Sequence, residues 1–290
     1  MKYPEILAVR TEPVSSNYCD KDVILYALSV GMGQNPLDPG ELTYVYEKAL
    51  QVVPTMGAIL GSGAGKFITE GDIDFKKLLH GEQRLQVHSP LPPQASITTK
   101  SRCLGVVDKG AKHGAIMNIE CEIADSNSGE LYATTIMSLF CRGDGGFGGP
   151  TESALIAHVV PDRPPDIEVA LPTRPDQALL YRLNGDRNPL HCDEHAARLA
   201  GFERPILHGL CTYGFACRAV LRAFCNYDAG AIASFDARFA SPVYPGETIV
   251  TRMWRDDQVV SFECSVAERK VAVIRNGRCV LFSSPWVRKD

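Results

Sequence analysis

Residues 186–191 read D-R-N-P-L-H, and residues 33–38 read G-Q-N-P-L-D. The relation between these two hexapeptides sets the architecture. Around them, further pieces match in the same order: L-Y-A-L from Leu25 with L-Y-R-L from Leu180, and Pro54 of V-P-T-M-G-A with Pro205 of R-P-I-L-H-G. S-P-L-P-P-Q-A-S-I-T-T-K (89–100) aligns without gaps on S-P-V-Y-P-G-E-T-I-V-T-R (241–252). All these offsets lie between 151 and 155, so the chain reads as an internal duplication.

Within each copy the periodicity is mixed. Val23, Tyr26, Ala27 and Val30 follow helical spacing and predict a helix over 20–30 with Gly31 as its stop. Leu210, Gly214, Cys217, Leu221 and Phe224 predict a second, about four turns long, starting near His208. Strand-like runs cover 84–88, 95–107, 114–123 and 130–140 in the first copy. In the second they cover 231–239, 248–254, 259–267 and 270–282. One buried helix followed by antiparallel strands, twice over, is an α+β plan.

Between the copies, residues 143–175 run G-D-G-G-F-G-G-P, P-D-R-P-P-D and P-T-R-P. We read residues 1–145 as one domain, 146–175 as a Gly/Pro-rich connection and 176–290 as the second domain.

The copies differ where chemistry would need them to. The second holds a carboxylate (Asp186), an amide (Asn188) and an imidazole (His191) in one short turn, with Gly209 at an expected helix start. Such a set suits acid–base work on a carbonyl-activated substrate. In the first copy Gly33 stands at the place of Asp186 and Asp38 at that of His191, while Asn35 survives. Catalysis is therefore expected in the C-terminal half and substrate binding in the N-terminal half. His208 reads as a packing or capping residue.

A net charge of −4 argues against nucleic-acid binding, and no apolar run approaches the roughly 20 residues that span a bilayer. The start lacks a signal-peptide core and the C-terminal V-R-K-D is not a peroxisomal address. Ten cysteines without C-x-x-C pairing, several in apolar-periodic segments, suggest a reducing cytoplasm.

The run Y-R-L-N-G-D-R-N-P-L-H, followed by A-R-L-A-G-F and P-I-L-H-G-L, resembles the signature of MaoC-like (R)-specific enoyl-CoA hydratases, the hydratase 2 family. In the first half, D-V-I-L-Y-A-L-S-V-G, L-T-Y-V-Y-E, L-L-H-G-E-Q and G-D-G-G-F-G-G are similar to the hydratase portion of type 2 peroxisomal multifunctional enzymes. The resemblance is to a free-standing version, without the dehydrogenase and sterol-carrier parts of those fusions. The resemblance implies a double hot-dog fold, each half wrapping an antiparallel sheet around a long central helix. It implies reversible hydration of a trans-2-enoyl-CoA to the (3R)-3-hydroxyacyl-CoA without metal or other cofactor, by a homodimer. It also implies roles for Asp186, Asn188 and His191 in handling water and for Gly209 as thioester oxyanion donor. His80, Gly81, Lys109 and Phe239 match ligand contacts, and Glu47 of Y-V-Y-E matches a glutamate of less defined role. Asn184 stands where Ser is frequent, a change expected to matter little, and Arg187 replaces a bulky neighbour.

Competing motifs fare worse. H-C-D-E-H (191–195) fits H-x-x-E-H, but Pro189 places His191 at a loop-to-helix junction, away from a shared helical face. G-S-G-A-G-K (61–66) is one residue short of a phosphate loop, and Phe67 stands where Ser or Thr should be. A thioesterase on the same fold would direct water to the thioester carbon. A non-catalytic acyl-CoA-binding subunit would have no use for the Asp186/His191 pair.

Overall fold

The period-two runs become strands that join edge to edge. A computed structural model describes residues 1–61, 63–284 and 286; residues 287–290, read above for a targeting address, lie outside these. The first half contains β1 (Val14–Tyr18), α1 (Asp20–Ser29), α2 (Pro39–Leu42), α3 (Gly57–Leu60), α4 (Gly65–Glu70), β2 (Leu78–Val87), β3 (Ala95–Asp108), β4 (Ala115–Asp125) and β5 (Leu131–Cys141). The second contains β6 (Ile167–Pro172), α5 (Gln177–Tyr181), α6 (Glu194–Leu199), α7 (Gly209–Phe224), β7 (Ile232–Phe239), β8 (Thr248–Asp256), β9 (Val259–Val266) and β10 (Val271–Leu281).

All ten strands form one sheet in the order β1-β3-β4-β5-β2-β7-β10-β9-β8-β6. Read outward from the centre, the two halves repeat one another strand for strand, as the duplication requires. The seam is the antiparallel β2–β7 pair, in register from Glu82↔Arg238 to Gln86↔Ser234. This is the double hot-dog arrangement. No helix among the described residues is long and apolar enough to cross a membrane.

One apolar core runs through both halves, from Tyr26, Val53 and Leu85 to Phe215, Phe235 and Phe262. Residues 211–221 of α7 are all buried, and each large side chain among them contributes roughly 1.5–3 kcal/mol by leaving water. The end of α1 crosses α7 closely. A Cβ at Gly214 would stand 2.4 Å from Val30 Cγ1.

The structure departs from expectation in three places. At the position matching α7, the first half has a 3-10 turn (Pro54–Met56), α3 and α4 in place of one long central helix. The glycines at 61, 63 and 65 explain the break, each costing a helix interior about 1 kcal/mol; Ser62 of that stretch lies outside the described residues. Second, residues 146–175 are not a free connection. The Gly146 and Gly148 amides donate to the Asp108 carboxylate at 2.7 and 2.8 Å, Arg84 donates to the Ile156 carbonyl at 3.0 Å, and β6 pairs with β8. Third, β2 starts at Leu78, well before Arg84, with a bulge between His80 and Glu82 that breaks the alternation.

Candidate active site

The loop over residues 182–191 is shaped by its own sequence. After α5 a 3-10 turn ends at Gly185, whose φ of +114° few residues other than glycine adopt. The chain then reverses through Asp186. The Asp186 carboxylate accepts from the Asn188 amide at 3.1 Å, and the Asn188 side-chain carbonyl accepts from the Leu190 amide at 3.1 Å. Pro189 occupies the first position of the 3-10 turn that ends on His191, its preset φ suiting that place. Asn188 is thus a cap, with its NH2 group left over for a ligand.

His191 is buried (8% exposed). Its Nδ1 lies 2.9 Å from the Ile206 carbonyl. A carbonyl can only accept, so Nδ1 carries the proton and Nε2 keeps a free lone pair. Burial pushes the His191 pKa below its ordinary value, with the Ile206 carbonyl and Asp186 opposing, so the ring is neutral at pH 7. Asp186 is exposed at the mouth of the loop.

His208 goes beyond its expected packing role. Its ring stacks on His191 with centroids 3.7 Å apart and planes 25° off parallel. Its Nε2 donates to the Asp186 carbonyl at 3.1 Å, so one side chain contacts both His191 and Asp186. Burial, then the neighbouring His191, push its pKa down to about 4. Asp186, His191 and His208 each present an atom within 4.8 Å of the others. That span lets one water bridge Asp186 and His191.

Gly209 opens α7, so its N–H belongs to the first turn, where no helical carbonyl accepts it, at the positive end of a 16-residue dipole. A Cβ placed on it would lie 3.4 Å from the Phe239 ring, and Phe239 meets the His80 ring at 5.1 Å. His80, Gly81, Lys109 and Phe239 all line one cavity of about 620 Å³, which also takes in His113, Asn118 and Ser138. His80 donates from Nε2 to the Glu82 carbonyl at 3.1 Å, and burial pushes its pKa down to about 4. Both halves thus contribute walls, and Gly209 abuts the cavity through Phe239. Glu47 is not brought to this cavity; it lies exposed beyond α2.

The buried glutamate of that region is Glu41, which no sequence pattern singled out. The Arg218 guanidinium of α7 donates to Glu41 at 3.0 Å and to the Gln34 side chain at 2.9 Å. Glu41 accepts from the Gly33 amide at 2.9 Å, and Asp38 caps α2 through the Gly40 amide and accepts from the Tyr227 hydroxyl. The first copy of the loop is therefore filled by an ion pair. Asn35 still accepts from the Leu37 amide at 3.2 Å, the same turn that Asn188 makes.

An acid–base loop beside a helix N-terminus at the junction of two hot-dog halves defines a class of enzymes that handle water at activated double bonds. Residues 157–276 match the MaoC-like domain and residues 16–143 the MFE-2 hydratase 2 N-terminal domain. The chain is similar to the enoyl-CoA hydratase ChsH3 of Mycobacterium tuberculosis, 41% identical over 93% of this chain and 95% of that one. It is similar to the peroxisomal enoyl-CoA hydratase 2 of Arabidopsis thaliana, 38% identical over 93% and 92%. The MaoC-like dehydratase of Phytophthora capsici superposes with a TM-score of 0.86 at 32% identity, over 97% of this chain and 98% of that one. The chain belongs to the MaoC-like hydratase 2 family and is a hydro-lyase.

Proposed function

We propose that the protein adds water to a trans-2-enoyl-CoA, giving the (3R)-3-hydroxyacyl-CoA, and catalyses the reverse dehydration. The reading rests on one observation above the others. A buried His191, its Nδ1 engaged by the Ile206 carbonyl, has a ring nitrogen within 4.8 Å of an Asp186 carboxylate oxygen, a span one water can bridge. In hydration, Nε2 takes a proton from a water that Asp186 orients. The water oxygen bonds to the β carbon as the π electrons move toward the thioester oxygen. The Gly209 N–H receives the negative charge that develops there. The imidazolium then returns the proton to the α carbon, so the elements of one water are added and the enzyme is restored. No electrons are gained or lost overall, and the scheme calls for no redox group. The pantetheine arm would thread past Phe239 and His80 toward Lys109, a cation suited to CoA phosphate.

The test is to offer purified protein a medium-chain trans-2-enoyl-CoA, follow loss of conjugated-thioester absorbance and determine the product's chirality. The expected product is (3R)-3-hydroxyacyl-CoA. An (S) product, or free CoA in its place, overturns the reading.

A further inference from the structure

The residue expected to matter little, Asn184, is bonded across the two halves. Its Nδ2 donates to the Ser29 hydroxyl at 2.9 Å and to the Tyr181 carbonyl at 2.8 Å. Ser29 ends α1 of the N-terminal half and is completely buried. Its hydroxyl donates to the Tyr26 carbonyl at 2.7 Å, which leaves its oxygen lone pairs for Asn184. The Ser29 carbonyl in turn accepts from the Gln177 amide of α5 at 2.7 Å and from the Cys211 thiol of α7 at 3.3 Å.

One buried residue of the non-catalytic half therefore grips three segments of the catalytic half. These are the helix leading into the catalytic loop, the loop itself two residues before Asp186, and α7 two residues after Gly209. A serine hydroxyl is too short to reach across such a gap from the loop side, whereas an asparagine amide has both the length and two donors, one for each acceptor. Gly185 follows at once with its positive φ, so an unpinned residue 184 would leave Asp186 held on that side of the turn by the His208 bond to its carbonyl alone.

We infer that Asn184 and Ser29 are a positioning pair for the proposed hydration. The pair holds the carboxylate of Asp186 in register with His191 and the Gly209 N–H. Neither residue touches substrate. The inference rests on the hydratase reading above for its kinetic part.

The experiment is a double-mutant cycle with Ser29→Ala, Asn184→Ala and the double variant, plus the near-isosteric Asn184→Asp, which keeps the volume and removes both N–H donors. Misplacement of a catalytic group by about 1 Å costs up to 10²-fold. With trans-2-enoyl-CoA, each single variant should lose about tenfold to a hundredfold in kcat, with KM held within about twofold. The double variant should be no slower than the slower single one, because a broken pair cannot be broken again. Amide exchange over residues 182–191 should rise equally in Ser29→Ala and Asn184→Ala.

An Asn184→Asp variant with wild-type kcat, or losses that multiply in the double variant, overturns the pairing. If the wild type does not hydrate enoyl-CoA, the hydratase reading falls by itself. The exchange measurement still decides the clamp, since unchanged protection at 182–191 in either variant overturns it.

Discussion

The loops at 33–38 and 186–191 share a backbone turn and differ in what fills it. In both, an asparagine carbonyl caps the amide two residues on. In one, an exposed aspartate stands near a buried histidine that stacks on His208. In the other, Glu41 and Arg218 close the space with a buried ion pair that also engages Gln34 and the Gly33 amide. Asn-Pro-Leu makes the turn in both copies, and the positions of residues 186 and 191 are where the copies part, Gly33 and Asp38 standing in the other.

The largest expected effect comes from erasing that difference on the active side. Asp186→Asn and His191→Ala should each lower kcat by about 10²–10⁴-fold with the fold intact by circular dichroism, and retained turnover in either would reassign the site. Next, Gly209→Pro removes the proposed oxyanion donor at a helix position that proline tolerates. It should cost about 10²–10³ in kcat, measured beside circular dichroism that confirms an intact helix. On the retired side the effect should be on stability. Arg218→Met strands Glu41 and should cost about 3–5 kcal/mol in denaturant melts, whereas pairing it with Glu41→Met should recover most of the loss.

A smaller effect separates the two sides by pH. Burial lowers the His191 pKa in the folded protein, so its neutral form is favoured by folding. The sign follows: that contribution to stability is present above the unfolded value and lost as pH falls below about 6.5. The acid limb of kcat/KM should likewise lie below pH 6.5, and a limb at or above it would contradict a buried neutral base. The smallest effect is an expected failure. Gly33→Asp with Asp38→His, placed in a His191→Ala background, should restore no turnover, because Arg218 and Glu41 occupy the space a second site would need.

Much of this was legible in the residues. The duplication, the helices at 20–30 and near 208, and the core strands all announce themselves through periodicity. Edge strands do not: β1 (V-S-S-N-Y) is almost wholly exposed and β6 sits in a proline-rich run, so neither shows a buried alternation. The three glycines at 61, 63 and 65 are visible in the sequence, but nothing in them says which helix they interrupt. Of the site, Asp186, His191, Gly209 and the His80–Phe239 wall come together as their motifs imply, whereas Glu47 does not join them. Ser29 with Asn184, and Glu41 with Arg218, could not be read. Their partners lie 155 and 177 residues apart, and no local pattern links side chains that only the folded halves bring together.

Helix α7 carries both ends of this history. Gly209 begins it, and Arg218 follows nine residues later, two and a half turns along and on the opposite side of the same rod, about 14 Å away at 1.5 Å per residue. The half without the aspartate and histidine thus fastens, through Arg218, the helix whose first residue stands beside the half that has them, and the two cannot be parted without stranding a buried charge.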